Sequence, residues 1–392
     1  MRIAYLYQYY TTNEQPGGTR AFEFTRFLAE NNFRVDVISG KNIKLKEPKE
    51  NLNIYTTNTD YTNNMPALRR IYAFFHYVIK ATFKGLLIKQ VDLIFATSTP
   101  LTIGIPAVVL SKLKGKKLIF EVRDVWPDVP IELGYIKNKF MIKILKLFET
   151  WIYKNSSHII VLSSGMYENL RKKGVSAEKM TIIENISNLY LFDQIKDTNK
   201  PENLINKFIC IHPGTMGPVN GLDFILDTAK IIKNLDTEIV FLLIGKGKKK
   251  ESLQNRVTKE EITNVIFQDI MPKKDVVKLI KSSNIGIMCV DNSYKILEDN
   301  SANKFFDFLA AGLPVLINYR GWQKEAIETN ECGYSCLTPQ EMADKILCIK
   351  KEPSKQVAMA INSRKLAENR YSDIKAKEKL LKVIEKVREL NL

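Results

Sequence analysis

The chain of 392 residues is predicted to be an α/β protein with two doubly wound domains. Three observations predict this. Apolar, strand-like runs alternate with helical patterns along nearly the whole length, which implies parallel sheets with helices on both faces. A polar stretch between about Leu189 and Lys207 interrupts the alternation, and a second alternating series starts at Phe208. The chain is also too long for one hydrophobic core, because domains stop growing at roughly 250–300 residues.

The first series opens with strand Arg2–Gln8, a loop carrying Gly17-Gly18, a helix from about Thr19 to Glu30 and strand Arg34–Ser39. Strands Leu93–Ala96, Lys117–Val122 and Ile159–Leu162 follow, alternating with helical patterns such as Asn138–Tyr153 and Gly165–Lys172. Leu93 to Ser111 carries no charge and imitates a membrane span, but Pro100, Gly104 and Pro106 break it. A strand, a turn and a short helix fit it better than about 20 residues of spanning helix. The linker is placed where Asp193, Asp197, Asn199, Lys200, Pro201 and Glu202 cluster.

The second series reads strand Phe208–His212, helix Gly221–Asn234, strand Glu238–Ile244, helix Lys249–Val257, strand Val265–Gln268, helix Lys273–Ser282, strand Ile285–Val290, helix Ala302–Ala311 and strand Val315–Ile317. The tail from Pro339 is helical and charged, and its last stretch, about 373–392, is expected to return to the first domain. The expected domains are therefore 1–190 joined by that stretch, and 207–372. Two such domains facing a central cleft would take ligands at the carboxyl ends of both sets of strands.

Composition narrows the class. With 45% hydrophobic and 26% charged residues, collagen-like, low-complexity and disordered readings are excluded. The formal net charge is +16, and residues 1–190 hold 27 basic against 16 acidic residues. Such a surplus suits nucleic acid, anionic membrane or phosphorylated small molecules, although a Lys-rich composition explains part of it. The five cysteines (Cys210, Cys289, Cys332, Cys336, Cys348) lack any C-x-x-C spacing, which argues for a reducing compartment and against zinc. Met1–Tyr10 has no basic n-region and no cleavage-site pattern, so no signal peptide is expected and a cytoplasmic location is.

The most informative window is Asp299-Asn300-Ser301-Ala302-Asn303-Lys304-Phe305-Phe306-Asp307, continued by Leu309-Ala310-Ala311-Gly312-Leu313-Pro314-Val315. It reads as a loop delivering a carboxylate, a helix start capped by Ser301 or Asn303, a second acid two turns on, a Gly stop and a buried strand. Exposed amides at the helix start suit a diphosphate, and Lys304 adds a cation. A solvated helix N-terminus accounts for the same residues without function.

The window resembles the E-x7-E element of glycosyltransferase family four, the large retaining family with the GT-B fold, with both acids shortened to Asp. Supporting pieces stand in order: Gly17-Gly18 after the first strand, Gly214-x-x-Gly217-x-x-x-Gly221 opening the second domain, and Ile244-Gly245-Lys246-Gly247. Glu121-Val122-Arg123-Asp124-Val125-Trp126-Pro127-Asp128 and Asn303–Asp307 look most like the capsule and O-antigen branch that includes N-acetyl-fucosamine transferases.

The resemblance implies roles. Asp307 would bind the ribose hydroxyls of a UDP-sugar and Asp299 the donor-sugar hydroxyls. Amides near Ala302, Asn303 and Lys304 and the Gly17-Gly18 turn would hold the diphosphate, Gly214, Gly217 and Lys246 would contact the donor nucleotide, and the base would lie against Gln268–Ile270. Relatives often carry a His after the fourth N-domain strand where this chain has Arg123 and Asp124, so one of these substitutes or the contact is lost. Their Arg and Lys in the loop opening the second domain are absent, leaving Lys246, Lys248 or Lys304 to neutralise the leaving phosphates, with Lys304 favoured. The acceptor implied is a polyprenyl-diphosphate-linked saccharide. No cofactor is implied, no D-x-D occurs and no metal site is expected. His158 and His212 are read as packing residues, and a plain turn with a buried Trp is the alternative reading of Asp124–Asp128.

Residues 65–90 contain five basic residues, no acid and aromatics at Tyr72, Phe74, Phe75, Tyr77 and Phe83. A basic amphipathic helix of this kind lies at an anionic membrane surface or, alternatively, packs on the core with a solvated basic side. A UDP-sugar 2-epimerase of the same architecture is the competing enzyme reading. Nucleic-acid binding is not expected, because the basic residues are spread over many helices without a recognised motif.

Overall fold

The computed structural model describes residues 1–43, 45, 49–61, 65–196, 198 and 200–389. Asp197 and Asn199 of the expected linker, and residues 390–392 of the expected C-terminal return, lie outside the described residues. The chain divides into two compact units. One comprises Met1–Thr12, Gly17–Glu184 and the C-terminal stretch from Ala376; the other comprises Asn13–Pro16 and Asn185–Lys375.

The first unit runs β1 (Arg2–Tyr7), α1 (Arg20–Glu30), β2 (Arg34–Ser39), β3 (Leu52–Thr56), α2 (Ala67–Leu87), β4 (Leu93–Thr97), a tight turn at Leu101–Ile103, α3 (Gly104–Lys114), β5 (Lys117–Val122), α4 (Asp128–Glu132), α5 (Lys139–Asn155), β6 (His158–Val161), α6 (Ser164–Lys172) and β7 (Met180–Ile182). The charge-free stretch is thus a strand, a turn and a helix, and no helix among the described residues is long and apolar enough to cross a membrane. The seven strands form one sheet in the order β3-β2-β1-β4-β5-β6-β7, with every pairing parallel.

Successive strand residues point to opposite faces, and the two faces bury different sets. Ala4, Leu6, Ile94, Ala96, Leu118 and Phe120 pack with Tyr77 and Ala81 of α2, Val108 and Leu110 of α3, Ile152 and Tyr153 of α5, and Met166 and Leu170 of α6. Ile3, Tyr5, Val35, Val37, Phe95 and Ile119 are equally buried on the opposite face. Burial on both faces explains why β1 is a continuous apolar run.

The second unit runs α7 (Leu189–Gln194), β8 (Phe208–Pro213), α8 (Leu222–Ile232), β9 (Ile239–Ile244), α9 (Lys250–Lys259), β10 (Val265–Gln268), α10 (Lys273–Lys281), β11 (Ile285–Met288), a short 3-10 helix Lys295–Asp299, α11 (Asn303–Ala311), β12 (Val315–Ile317), α12 (Trp322–Thr329), β13 (Gly333–Ser335), α13 (Pro339–Lys351), α14 (Pro353–Leu366) and α15 (Asp373–Glu389). Its six parallel strands are ordered β10-β9-β8-β11-β12-β13. From Ala376, α15 belongs to the first unit, where Lys377 lies 5.7 Å from the ring centroid of Phe27 on α1 and Lys379 pairs with Glu184 at 3.0 Å.

Two expectations need correction. The second sheet has six strands, not five, and β3, β7 and β13 all escaped the sequence reading; each is an edge strand, and β7 and β13 are only three residues long. Neither Ser301 nor Asn303 caps α11: Ala302 occupies the cap position and no side chain bonds the first turn. The helix does end as expected, at Gly312 with φ +68°.

Candidate active site

In the second unit the carboxyl ends of β8 and β9 carry two glycine loops that interlock. Gly214 N–H donates to Ile244 O at 2.8 Å, Met216 N–H to Lys246 O at 2.9 Å, and Gly245 N–H to Gln268 O at 3.0 Å. Gly245 has φ +148°, and a Cβ there would stand 1.9 Å from Gly214 O. Only glycine permits that approach, so Gly214 and Lys246 are brought together with Gln268, whose Oε1 is buried without a partner. Gly217 N–H is held by Asn220 Oδ1 at 3.1 Å. The side chains of Lys246 and Ile270 are exposed.

Helix α11 supplies the charged groups. Phe305 and Phe306 are fully buried. Their rings pack on Trp322 at 5.5 and 6.1 Å and on Tyr371 at 6.2 and 5.2 Å. Burial of each such ring contributes on the order of 1.5–3 kcal/mol, which fixes the rotation of the helix. Lys304 and Asp307, three positions apart, then share another face.

Lys304 Nζ donates to His212 Nε2 at 2.8 Å. His212 Nδ1 lies 3.0 Å from Ile287 O, which only a protonated Nδ1 can use. The partners therefore assign a neutral ring with Nε2 as acceptor. Burial, reinforced by the Lys304 charge, holds the His212 pKa well below its usual value. Burial likewise lowers Lys304 to about 8. Gly214 leaves room for this ammonium: a Cβ at Gly214 would meet Lys304 Nζ at 2.9 Å.

Asp307 is 6% exposed and ion-paired with Lys273, the first residue of α10. Asp299 closes the 3-10 helix ahead of α11 and is partly exposed, and Ala302 and Asn303 form the uncapped helix start. His212 is buried, as a packing residue would be, but it also orients Lys304. Lys273 was not singled out in the sequence; an acid on the next helix is a partner that no local spacing reveals.

A second constellation lies in the first unit, at the carboxyl ends of β1, β4 and β5. Arg123 Nη1 donates to Tyr7 OH at 2.8 Å, and its backbone N–H donates to Ser98 Oγ at 3.0 Å. Asp124 is exposed and accepts from Thr99 Oγ1 at 2.7 Å. Val125 is buried and Trp126 packs on the core. Gly18 O accepts from Thr11 Oγ1 at 3.0 Å, and Gly17 has φ +133°. Just beyond this loop, fully buried Arg20 donates from Nε to Glu121 Oε1 at 2.9 Å and from Nη2 to Ile183 O at 2.8 Å. Glu121 also accepts from Thr97 Oγ1 at 3.2 Å. This network anchors the glycine loop to the sheet.

Comparison with known proteins decides the class. The family described as "Glycosyltransferase Family 4" matches residues 17–189, and "Glycosyl transferases group 1" matches residues 194–366. The chain is a tandem of two glycosyltransferase-family domains. A curated relative, spore coat protein SA of Bacillus subtilis (strain 168), is 25% identical over 195 residues, covering 47% of this chain. The match spans about half (50%) of that relative's length.

Among solved structures, Anabaena HepE in complex with UDP and glucose superposes with a TM-score of 0.73 at 15% identity, covering 98% of this chain and 100% of that one. Sucrose-phosphate synthase from Thermosynechococcus elongatus gives 0.74 at 14% identity, with 98% of both chains covered. A putative UDP-N-acetylglucosamine 2-epimerase from Listeria monocytogenes gives 0.62 at 11% identity, covering 99% of this chain and 96% of that one. These likenesses show the GT-B fold, which the glycosyltransferase domains share with an epimerase.

Proposed function

We propose that the chain is a metal-independent, retaining glycosyltransferase that moves a sugar from UDP to a polyprenyl-diphosphate-linked saccharide, at the inner face of the cell membrane, in capsule or O-antigen synthesis. The transferred sugar is read as N-acetyl-fucosamine or another N-acetylhexosamine. The observation that carries the reading is the placement of Lys304 between His212 and the glycine loops, on the same helix face as Asp307. A mobile-proton cation, a set of backbone amides and a carboxylate together match a nucleoside diphosphate: phosphate oxygens to the first two, ribose hydroxyls to the third.

In the proposed reaction the bond between the donor sugar's C1 and the β-phosphate oxygen breaks, and a bond from C1 to an acceptor oxygen forms on the same face of the sugar. The acceptor's hydroxyl proton passes to the β-phosphate, and UDP leaves. Negative charge grows on the leaving phosphate, so fixed donors aimed at it lower the barrier, and positioning supplies much of the remainder. Lys304 and the amides of Asn303 and Lys304 at the start of α11 take that task, beside the turns at Gly214 and Gly217, whose own N–H groups are held by Ile244 O and Asn220 Oδ1, as that of Ala302 is by Asn300 Oδ1. Asp307, steered by Lys273, takes the ribose, Gln268 and Ile270 border the base, and Asp299 takes donor-sugar hydroxyls. Arg123 and Asp124 are assigned to the sugar contact that a His makes in relatives. UDP and glucose bound to HepE support a UDP-sugar donor. No added cofactor is needed for these steps.

Helix α2 supports the membrane part. Leu68, Tyr72, Phe75, Ile79 and Phe83 are all exposed, at i, i+3 and i+4 spacing, beside Arg69, Lys80 and Lys84. A stripe of this kind partitions into an anionic lipid surface. The test is thermal-shift screening with UDP, GDP and UDP-hexosamines, followed by product analysis on a synthetic lipid-diphosphate sugar. Stabilisation by UDP compounds and a lipid-linked product with retained anomeric configuration are expected. An epimerised free sugar nucleotide would instead establish the 2-epimerase.

A further inference from the structure

The apolar surface of the first unit is strongly one-sided. Beyond Met1, every large hydrophobic side chain exposed in this unit, among the described residues, falls between Leu68 and Leu147. Besides those of α2 they are Leu113 on α3, Tyr135 just ahead of α5, and Phe140, Met141, Ile144 and Leu147 on α5. Helices α1 and α6, and the part of α15 that belongs to this unit, from Ala376, contribute none.

Helices α2, α3 and α5 pack on the same face of the sheet, so their outward sides point away from it together. Two glycines draw them close. A Cβ at Gly85 of α2 would stand 2.3 Å from Leu110 of α3, and one at Gly104 of α3 would stand 2.3 Å from Ile152 of α5.

Within α5 the division is by length as well as by face. Its second half buries Glu149, Ile152 and Tyr153, whereas Phe140 is 72% and Leu147 61% exposed. Phe140, Ile144 and Leu147 recur at i, i+4 and i+7, one helical stripe. Lys139, Lys143 and Lys146 run beside them with the same spacing, and residues 133–148 contain no acid. Of the two acids that flank this run, Glu132 closes α4 and Glu149 is buried against Lys173 at 2.7 Å. Among the described residues these three lysines make no ion pair.

We propose that the first half of α5 is a second membrane-contacting element, which lies in an anionic phospholipid surface together with α2 and sets the orientation of the first unit on it. This rests on the membrane reading of α2 above. Charge selects the occupant. Lysines flanking an apolar stripe gain energy beside anionic headgroups and can extend their ammonium groups past the buried stems. In a face-to-face pairing of two copies the same lysines would confront one another. Two anchors fix a plane, where a single helix would leave the unit free to roll about its axis.

The test uses the full chain with vesicles of phosphatidylglycerol and phosphatidylcholine, compared with phosphatidylcholine alone. One variant carries Phe140→Ser, Ile144→Ser and Leu147→Ser; another carries Tyr72→Ser, Phe75→Ser and Phe83→Ser. All six positions are exposed, and far-UV circular dichroism checks folding. The account expects the α5 variant to lose about tenfold or more of its partitioning into anionic vesicles. A polarity-sensitive dye at Ile144→Cys should shift to the blue only when those vesicles are added. Wild-type binding by the α5 variant, with loss in the α2 variant, would overturn the proposal and leave the α2 reading standing. Wild-type binding by both variants would overturn the membrane reading itself. A dimer that only the α5 substitutions dissociate, or equal binding to uncharged vesicles, would also overturn the choice of an anionic surface.

Discussion

Lys304 Nζ donates to His212 Nε2 across 2.8 Å, although the two residues stand 92 positions apart. The bond leaves the ammonium charged while its acceptor stays neutral, because Nδ1 of the ring is engaged with Ile287 O. A cation held this way is already oriented before any anion arrives, which is how preorganised charge lowers a barrier.

Replacing Lys304 with Ala should lower kcat by about 100- to 1000-fold, the usual loss for one preorganised donor at a developing oxyanion. The KM for the UDP-sugar should change much less. Steady-state kinetics at saturating acceptor reads both values.

The pH profile follows from the same burial. The Lys304 pKa falls from 10.5 to about 8, so the free enzyme loses this charge as pH rises past about 8. The rate kcat/KM should show a descending limb near that pH, and kcat a limb at higher pH, because bound diphosphate favours the ammonium. Stability moves the other way. Between about pH 8 and 10.5 the unfolded chain binds the proton that the folded chain releases, so this lysine's burial cost is present below pH 8 and relieved above it.

Arg20→Met should destabilise the first unit by about 3–5 kcal/mol, because Glu121 would remain buried without its countercharge. Urea denaturation of the full chain measures it. The glycine loop before Arg20 should loosen as well, and limited proteolysis would detect this at Gly17-Gly18.

Gly245→Ala is expected to be worse for the site than its single methyl suggests. The added Cβ would overlap Gly214 O at 1.9 Å, forcing the two loops apart and moving Gly214 off Lys304. Loss of UDP-induced thermal stabilisation is the expected outcome, with secondary structure retained by circular dichroism.

Much of the fold was legible because both sheets are covered on two faces, so central strands such as Ile239–Ile244 read as unbroken apolar runs between helices. The edge strands were not. Gly333-Tyr334-Ser335 is too short for any periodicity, and only its pairing to Val315–Ile317 makes it a strand. At the site, glycines and acids stand close in sequence and could be recognised by spacing. The Lys304–His212 bond and the Asp307–Lys273 pair join residues 92 and 34 positions apart, and those contacts exist only after β8, α10 and α11 have packed. The expected helix cap failed for a related reason: Ser301 and Asn303 have the right chemistry, but the backbone places Ala302 at the cap position.

The central claim is that a nucleoside diphosphate binds the second unit between its glycine loops and α11, with the ribose on Asp307. Calorimetric titration of UDP into the full chain and into Asp307→Ala tests it most directly. The account predicts binding by the wild type and a loss of about tenfold or more in the variant, a change of roughly 1.4 kcal/mol. Equal affinity in the two proteins, with both folded, would contradict it.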